Sequence, residues 1–451
     1  MNENDDNISA LGGAAAPLAG PVAAEEAVAL AAAAHVGEQP DLPQVRPAFI
    51  WLLFGGVFGV YLAFVTPLAL SLSIRVAALA PGHAEYLGYV LGVGSLAALL
   101  VGPLGGQLSD RTRSRLGRRR PWLIGGMIGG TVALVVLAAA PNLLTLAIGW
   151  VLAQITFSQV INNFVTIQAD RLPESQRGKV AGITGLATMV APVFGSAIAG
   201  SLASSPYALF LVPGAVALVL VGLFVARYRE ADSRGLVFET PLTAKSVLSK
   251  YLFNPMENRD FGWNWLGRFL FFFGLTLATT FTAFFYSARL GLSVEEVGGL
   301  IAIAGLIGVA GTILGAIGGG FLSDRFKRRK PFILVAAVGF LLGTVLQAIA
   351  PDLTLLIFGS VLGNFAIGVF SAVDQALMID VLPERDTDAG RYISITQFAV
   401  TIPQAAAPVA ASLILAIGVG AGEQNYPLLY VVAGILTLLG GLVILRIKSV
   451  R

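Results

Sequence analysis

The chain contains no cysteine and only two histidines, His35 and His83. Without thiols there is no disulfide, no thiolate metal site and no thiol nucleophile. One histidine falls in a polar tail and the other in a short loop, which removes histidine-based triads and most metal sites. Charge is the next scarcity: Asp, Glu, Lys and Arg make up 12% of the 451 residues, about half of what a soluble domain carries. No G-x-x-x-x-G-K-S/T segment occurs, so no phosphate loop is present through which ATP drives a reaction. The first residues, Met-Asn-Glu-Asn-Asp-Asp-Asn, lack the basic start of a secretory signal.

What the chain has in abundance is apolar text. Hydrophobic residues make up 56% of it and the mean hydropathy is +0.80. A soluble fold has nowhere to hide that much apolar surface, so lipid is the solvent for most of the chain. A bilayer core of ~30 Å takes about 20 apolar residues per helix. Stretches of that kind run over 47–74, 84–108, 120–140, 142–168, 178–203, 206–226, 261–287, 295–319, 331–350, 352–378, 391–418 and 427–446. The expected fold is therefore an all-α membrane protein of twelve transmembrane helices. The polar stretch 227–260 divides them into bundles at 47–226 and 261–451, and the Ala/Gly/Pro/Glu-rich tail 1–46 has no means of building a core.

Between the second and third apolar stretches, Ser109 to Pro121 reads S-D-R-T-R-S-R-L-G-R-R-R-P. Six arginines in so short a loop stay on the cytoplasmic side of a membrane. The net charge is only +3, and its concentration in a few loops fits membrane orientation, not nucleic-acid binding. The loops that alternate with these are poor in Lys and Arg, apart from Arg75 and Arg289, so both termini are expected in the cytoplasm. The distinctive loop also recurs: Gly318 to Pro331 reads G-G-G-F-L-S-D-R-F-K-R-R-K-P. P-N-L-L-T-L at 141–146 is answered by P-D-L-T-L-L at 351–356, and A-D-R-L-P-E at 169–174 by I-D-V-L-P-E at 379–384. Each match holds the same place in its half, which makes the chain two pseudo-symmetric six-helix units.

The G-Q-L-S-D-R run at 106–111 and its arginines resemble the loop 2–3 signature of major facilitator transporters. The longer loop, together with N-R-D-F-G-W-N-W-L-G-R-F-L at 258–270, looks most like the glycoside/sucrose-type proton symporters. The resemblance covers about residues 47–446. It implies a substrate cavity between two six-helix halves, lined chiefly by helices 1, 4, 7 and 10, and alternating access by rocking of the halves. It also implies a small-molecule substrate and protons as partners, no cofactor, and a monomer in the cell membrane. The sodium-coupled melibiose-type relatives rely on several acidic residues in helices 1, 2 and 4, and none lies deep in those helices here.

Ionisable groups inside spans are costly and functional by default. Arg268 lies about two turns into helix 7 from the basic side, and Asp374 lies at a similar depth in helix 10. An ion pair is expected between them, in which protonation of the carboxylate releases the arginine; a permanent structural pair is the competing reading. Asp110 with Arg111 and Gly106, Asp324 with Arg325, and the equivalent pair Asp170 and Asp380 are expected to latch the basic ends of the helices. For the substrate, amides offer paired donors and acceptors to a hydroxyl-rich ligand. The candidates are Gln154, Gln159, Asn162 and Asn163 on helix 4, Asn364 on helix 10 and Gln397 on helix 11, with Tyr61 supplying an aromatic face. Bonding between neighbouring helices is the plainer role for each.

No histidine, cysteine or carboxylate pair sits at catalytic spacing inside the spans, so no enzyme and no metal site is expected. The function read from the residues and the resemblance is a secondary active transporter of a small polar solute, a sugar or glycoside, with proton symport. A proton-antiporting exporter of amphipathic compounds and a facilitative uniporter stay open as alternatives.

Overall fold

A computed structural model describes residues 42–236, 258–383, 389–420 and 423–450. Most of the tail 1–46 and of the linker 227–260 therefore lies outside the described residues. The long elements are α1 (Pro47–Leu79), α2 (Tyr86–Asp110), α3 (Arg120–Ala139), α4 (Leu143–Arg171), α5 (Glu174–Ser201) and α6 (Pro206–Arg227). They continue with α7 (Arg259–Thr280 and Thr282–Leu290, bent by 48°), α8 (Val297–Phe326), α9 (Lys330–Ile349), α10 (Leu353–Asp380), α11 (Ala389–Leu415) and α12 (Tyr426–Ile444). Among the described residues eleven are long and apolar enough to cross a membrane, and twelve when the two parts of α7 count as one span.

The repeated text marks helix starts. Asn142 accepts a hydrogen bond from Thr145 N at the head of α4, and Asp352 does the same for Leu355 N at the head of α10. These N-caps explain why Pro-Asn and Pro-Asp recur at matching places. Proline occupies the first turn of α1, α3, α6, α9 and α12, where its missing N–H has no partner to lose. Two helices break their regularity at corresponding depth, α1 through a π-turn at Pro67–Ser71 and α7 at Phe281.

Packing repeats as the text does. Within the first six helices α2 packs on α4, α3 on α4 and α6, and α1 on α5 and α6. Within the second six, α8 packs on α10, α9 on α10 and α12, and α7 on α11 and α12. The halves meet where α2 lies on α11 and α5 on α8. Large apolar side chains such as Leu100, Leu144, Leu314 and Val335 point outward, as lipid allows. Small residues hold the contacts inside: a Cβ on Gly368 would run into Thr312 O of α8, so α8 and α10 approach at backbone distance.

Candidate functional site

Between the halves lies a cavity of about 420 Å³. Tyr61 and Phe64 of α1, Ser95 and Gly102 of α2, and Gln154, Ser158 and Asn162 of α4 line one side. Phe272, Thr276, Thr279 and Thr280 of α7 face them, and α11 adds Ser394, Gln397, Phe398, Thr401 and Gln404. Among the described residues, no Asp, Glu, Lys, Arg or His lines it. The wall is thus a set of neutral donors and acceptors with aromatic faces, suited to an uncharged, hydroxyl-bearing solute.

Of the sequence candidates, Tyr61, Gln154, Asn162 and Gln397 line this cavity. Gln159 and Asn163 do not. They sit one residue further round α4 and are buried between it and α2, where Ser109 Oγ donates to Asn163 Oδ1 at 2.6 Å and Gly105 leaves room for the Gln159 amide. Asn364 lines a second, smaller cavity and not the main one. The sequence reading missed the threonines of α7 and most of α11. The signal was there: Ser394, Gln397, Phe398, Thr401, Gln404 and Pro408 recur at three- and four-residue spacing along one helix face.

Arg268 and Asp374 come together as an ion pair, Nη1 to Oδ2 at 3.0 Å, each only 2% exposed. Asp374 Oδ1 has no hydrogen-bond partner among the described residues, and neither does the amide of Asn264, fully buried one turn before Arg268. The pair does not line the cavity. Phe272 separates them: its ring lies 5.7 Å from the Arg268 guanidinium and it also lines the cavity.

The repeat shows what the same place holds in the first half. The register that matches Asp170 with Asp380 matches Phe164 with Asp374. Gly55 packs on α6 and Gly267 on α12, which matches Gly56 with Arg268. In the first half the Phe164 ring lies directly over Gly56. The fold therefore closes this position with plain apolar packing in one half and with two buried charges in the other. Buried ion pairs are seldom more stable than well-packed apolar replacements, so stability does not account for the pair.

At the basic face each half has its own charge network. Arg119, 3% exposed, reaches Asp110 at 2.6 Å, Asp170 at 3.3 Å and Ser109 Oγ at 3.0 Å. Arg329 repeats it with Asp324, with Asp380 at 3.5 Å and with Ser323 Oγ at 3.2 Å. The sequence pointed to the carboxylates but not to these two arginines, which are the centres of the networks. Arg111 and Arg325 stand at the basic ends of α2 and α8. The backbone N–H of Arg119 also donates to Glu230 Oε2 at 2.9 Å, tying the α2–α3 loop to the start of the linker.

On the opposite face the halves touch. Ser412 Oγ of α11 donates to Glu85 O at 2.7 Å, and Gln424 Nε2 donates to Glu85 Oε2 at 2.9 Å. Burial pushes the Glu85 carboxyl up, but hydrogen bonds from His83, its own backbone and Gln424 outweigh that and hold it below the usual carboxylate range. Arg75 takes no part in this contact: its Nη2 donates to Ala140 O at 2.6 Å. Arg289 makes the matching bond to Ala348 O. The two exceptions to the loop-charge pattern thus cap the carboxyl ends of α3 and α9.

Glycines close the seam: a Cβ added to Gly88 of α2 would run into Pro408 O of α11, and one added to Gly298 of α8 would lie 2.7 Å from Gly200 Cα of α5. Toward the basic face, by contrast, nothing lies within 4 Å of a Cβ placed on Gly102 or Gly106 of α2, and the cavity reaches Gly102 and Ser394. The two halves are shut on one side and parted on the other. Gly298→Leu is expected to wedge the seam. Because the chain has no native cysteine, this is readable as a roughly fivefold or greater rise in labelling of Ser196→Cys by an impermeant maleimide added at the seam face. Unchanged labelling would mean that the glycine contact does not hold the seam.

Two repeated six-helix bundles around a neutral polar cavity, closed on one face only, define a membrane carrier. The family model for the Major Facilitator Superfamily matches residues 48–318 and 309–450, and the chain belongs to that superfamily: it is a transporter and not an enzyme. Among curated proteins it is 34% identical over 92 residues to the galactose-proton symporter of Escherichia coli (strain K12), which is 20% of this chain and 19% of the relative. It is 38% identical over 77 residues to inositol transporter 4 of Arabidopsis thaliana, 17% of this chain and 13% of the relative. The matches thus span a fifth or less of the length of these curated relatives. Among solved structures, the nucleoside transporter NupG superposes with a TM-score of 0.71 at 12% identity, over 88% of this chain and 98% of that one. The D-xylose-proton symporter superposes with a TM-score of 0.66 at 15% identity, over 89% and 98%.

Proposed function

We propose that the protein takes up a small neutral polyhydroxy solute, a sugar or glycoside, together with protons by alternating access across the cell membrane. The positive-inside rule places the basic loops and both termini in the cytoplasm, so the cavity opens inward and the Glu85 seam faces outside. The bundles 47–226 and 261–451 are the two bodies that rock, joined by the linker 227–260, and the working unit is a monomer. Gln154, Asn162, Gln397 and Tyr61 contact the solute. The networks around Asp110, Asp170, Asp324 and Asp380, with Gly106, Arg111 and Arg325 beside them, form the inner latch. The short matches to proton symporters of sugars and to inositol transporters agree with this solute class.

The observation that carries proton coupling is the Arg268–Asp374 pair at a place where the other half has Gly56 and Phe164. Protonating Asp374 cancels its charge and loosens Arg268, whose guanidinium rests against a ring of the cavity wall. Solute and proton then act on the same helix, α7, from opposite sides of Phe272. Uptake into proteoliposomes across a panel of sugars and polyols, with and without an imposed pH gradient, tests the proposal. At least one neutral sugar or polyol is expected to accumulate only when the gradient is inward. Accumulation of none, or uptake indifferent to the gradient, contradicts it.

A further inference from the structure

Phe49-Ile50-Trp51-Leu52 at the head of α1 is answered by Phe261-Gly262-Trp263-Asn264 at the head of α7. This is the register that matches Gly56 with Arg268. In it Ala48, Leu52 and Gly56 of the first half become Asp260, Asn264 and Arg268 of the second. Three successive turns of one helix face have changed from apolar to polar. Residues four apart stand one above another, with about 5–6 Å between Cβ atoms. The three therefore form a line from the basic end of α7 to the buried ion pair.

The register across to α10 fixes what faces this line. Phe271 stacks on Phe370 with ring centroids 3.4 Å apart, and Arg268 pairs with Asp374 one turn nearer the basic face. The next turn carries Asn264 on α7 and Met378 on α10, 0% and 4% exposed. A thioether is a weak acceptor and no donor, so Met378 has little to offer an amide. Neither Nδ2 nor Oδ1 of Asn264 is hydrogen-bonded among the described residues, and nor is Asp374 Oδ1. Polar atoms left so deep without partners cost free energy, and Leu52 shows that the fold accepts an apolar side chain at this place. Water both donates and accepts and is held inside proteins by just such groups.

Asp260 stands where the line reaches the basic face. It is partly exposed, and its carboxylate oxygens accept from Lys448 N at 3.1 Å and Ser449 N at 2.8 Å. A carboxylate at this mouth draws a departing proton outward.

We propose that Asn264 is the positioning residue of an inner proton exit, holding buried water that links Asp374 to Asp260 along one face of α7. The acid form of Asp374 gives its proton to this water, and the carboxylate left behind pairs again with Arg268. The proton passes along the water to the Asp260 mouth and into the cytoplasm. None of Asp260, Asn264, Arg268 and Asp374 lines the solute cavity, so proton and solute leave by separate routes. This rests on proton coupling at Asp374 as proposed above and adds the way out.

Proteoliposomes carrying the full-length chain, with radiolabelled D-galactose, D-xylose and myo-inositol as probes, test the exit. For a probe that the parent accumulates on an inward proton gradient, Asn264→Leu, which installs the first half's residue, is expected to cut net uptake roughly tenfold or more. Counterflow of the same probe lets the carrier return without giving up its proton. It is expected to stay within about twofold of the parent, which also shows that the variant folds. Asn264→Ser, whose hydroxyl still donates and accepts, is expected to recover roughly half of net uptake. Net uptake in Asn264→Leu equal to the parent's overturns the exit, as does a joint loss of uptake and counterflow that Asn264→Ser does not reverse. In either case a failure of Asp374→Asn to accumulate leaves the proton site itself standing. A parent that accumulates none of the three probes, or takes them up whatever the gradient, overturns both.

Discussion

Asp374→Asn is expected to exchange solute across the membrane but not to accumulate it against a gradient. The substitution keeps the shape of the side chain and removes the group that takes the proton. It also takes away the carboxylate that stands 3.0 Å from the buried Arg268 guanidinium. Removing one partner of a buried pair costs on the order of 3–5 kcal/mol, so the variant is expected to melt well below the parent in detergent. The repeat offers a cleaner comparison. Arg268→Gly with Asp374→Phe copies the first half's Gly56–Phe164 contact into the second, and packing then replaces both charges. This double variant is expected to melt within about 1–2 kcal/mol of the parent and still to lack proton-driven accumulation. A double variant that unfolds like the single one would show that the two halves do not share this packing.

The other large effect is expected at Arg119. Its guanidinium bridges Asp110, Asp170 and Ser109 while almost wholly buried. Hydrogen bonds of this kind to charged groups contribute about 1.5–3 kcal/mol each, although both carboxylates keep part of their surface in water. Arg119→Ala is expected to cost about 2–3 kcal/mol. Arg119→Lys is expected to recover little of it, because an ammonium is a single point where three acceptors are spread around a planar fork. The matching Arg329 is more exposed, and Arg329→Ala is expected to cost only about 1 kcal/mol. Thermal unfolding in detergent ranks the three. Equal losses at Arg119 and Arg329 would mean that burial is not what makes the first network strong.

Much of the fold was legible because lipid writes plainly in sequence. Apolar runs of bilayer length, separated by short loops, gave every helix, most ends to within a few residues although α8 runs past 319 to Phe326, and the repeated Ser-Asp-Arg and Pro-Asn/Pro-Asp segments gave the duplication. Arg268 and Asp374 stood out because charges in such runs are rare, and depth alone was enough to match them. Rotation about the helix axis was not legible. In α4 the polar residues Gln154, Asn162, Gln159 and Asn163 lie on two faces, one toward the cavity and one toward α2. When lipid-facing and core-facing surfaces are equally apolar, no amphipathic stripe tells these faces apart. The α7 break at Phe281 carries no proline or glycine to announce it. Nor does the sequence say which face is shut, because nothing in the order of residues distinguishes a closed seam from a parted one.

The central claim is that protons enter the transport cycle through the second half's ion pair. The most direct measurement is the pH change outside lightly buffered proteoliposomes when a transported sugar is added without any imposed gradient. External alkalinisation is expected with the parent chain and none with Arg268→Gly/Asp374→Phe, while counterflow of labelled sugar persists in both. Alkalinisation of equal size in the double variant would place the proton elsewhere.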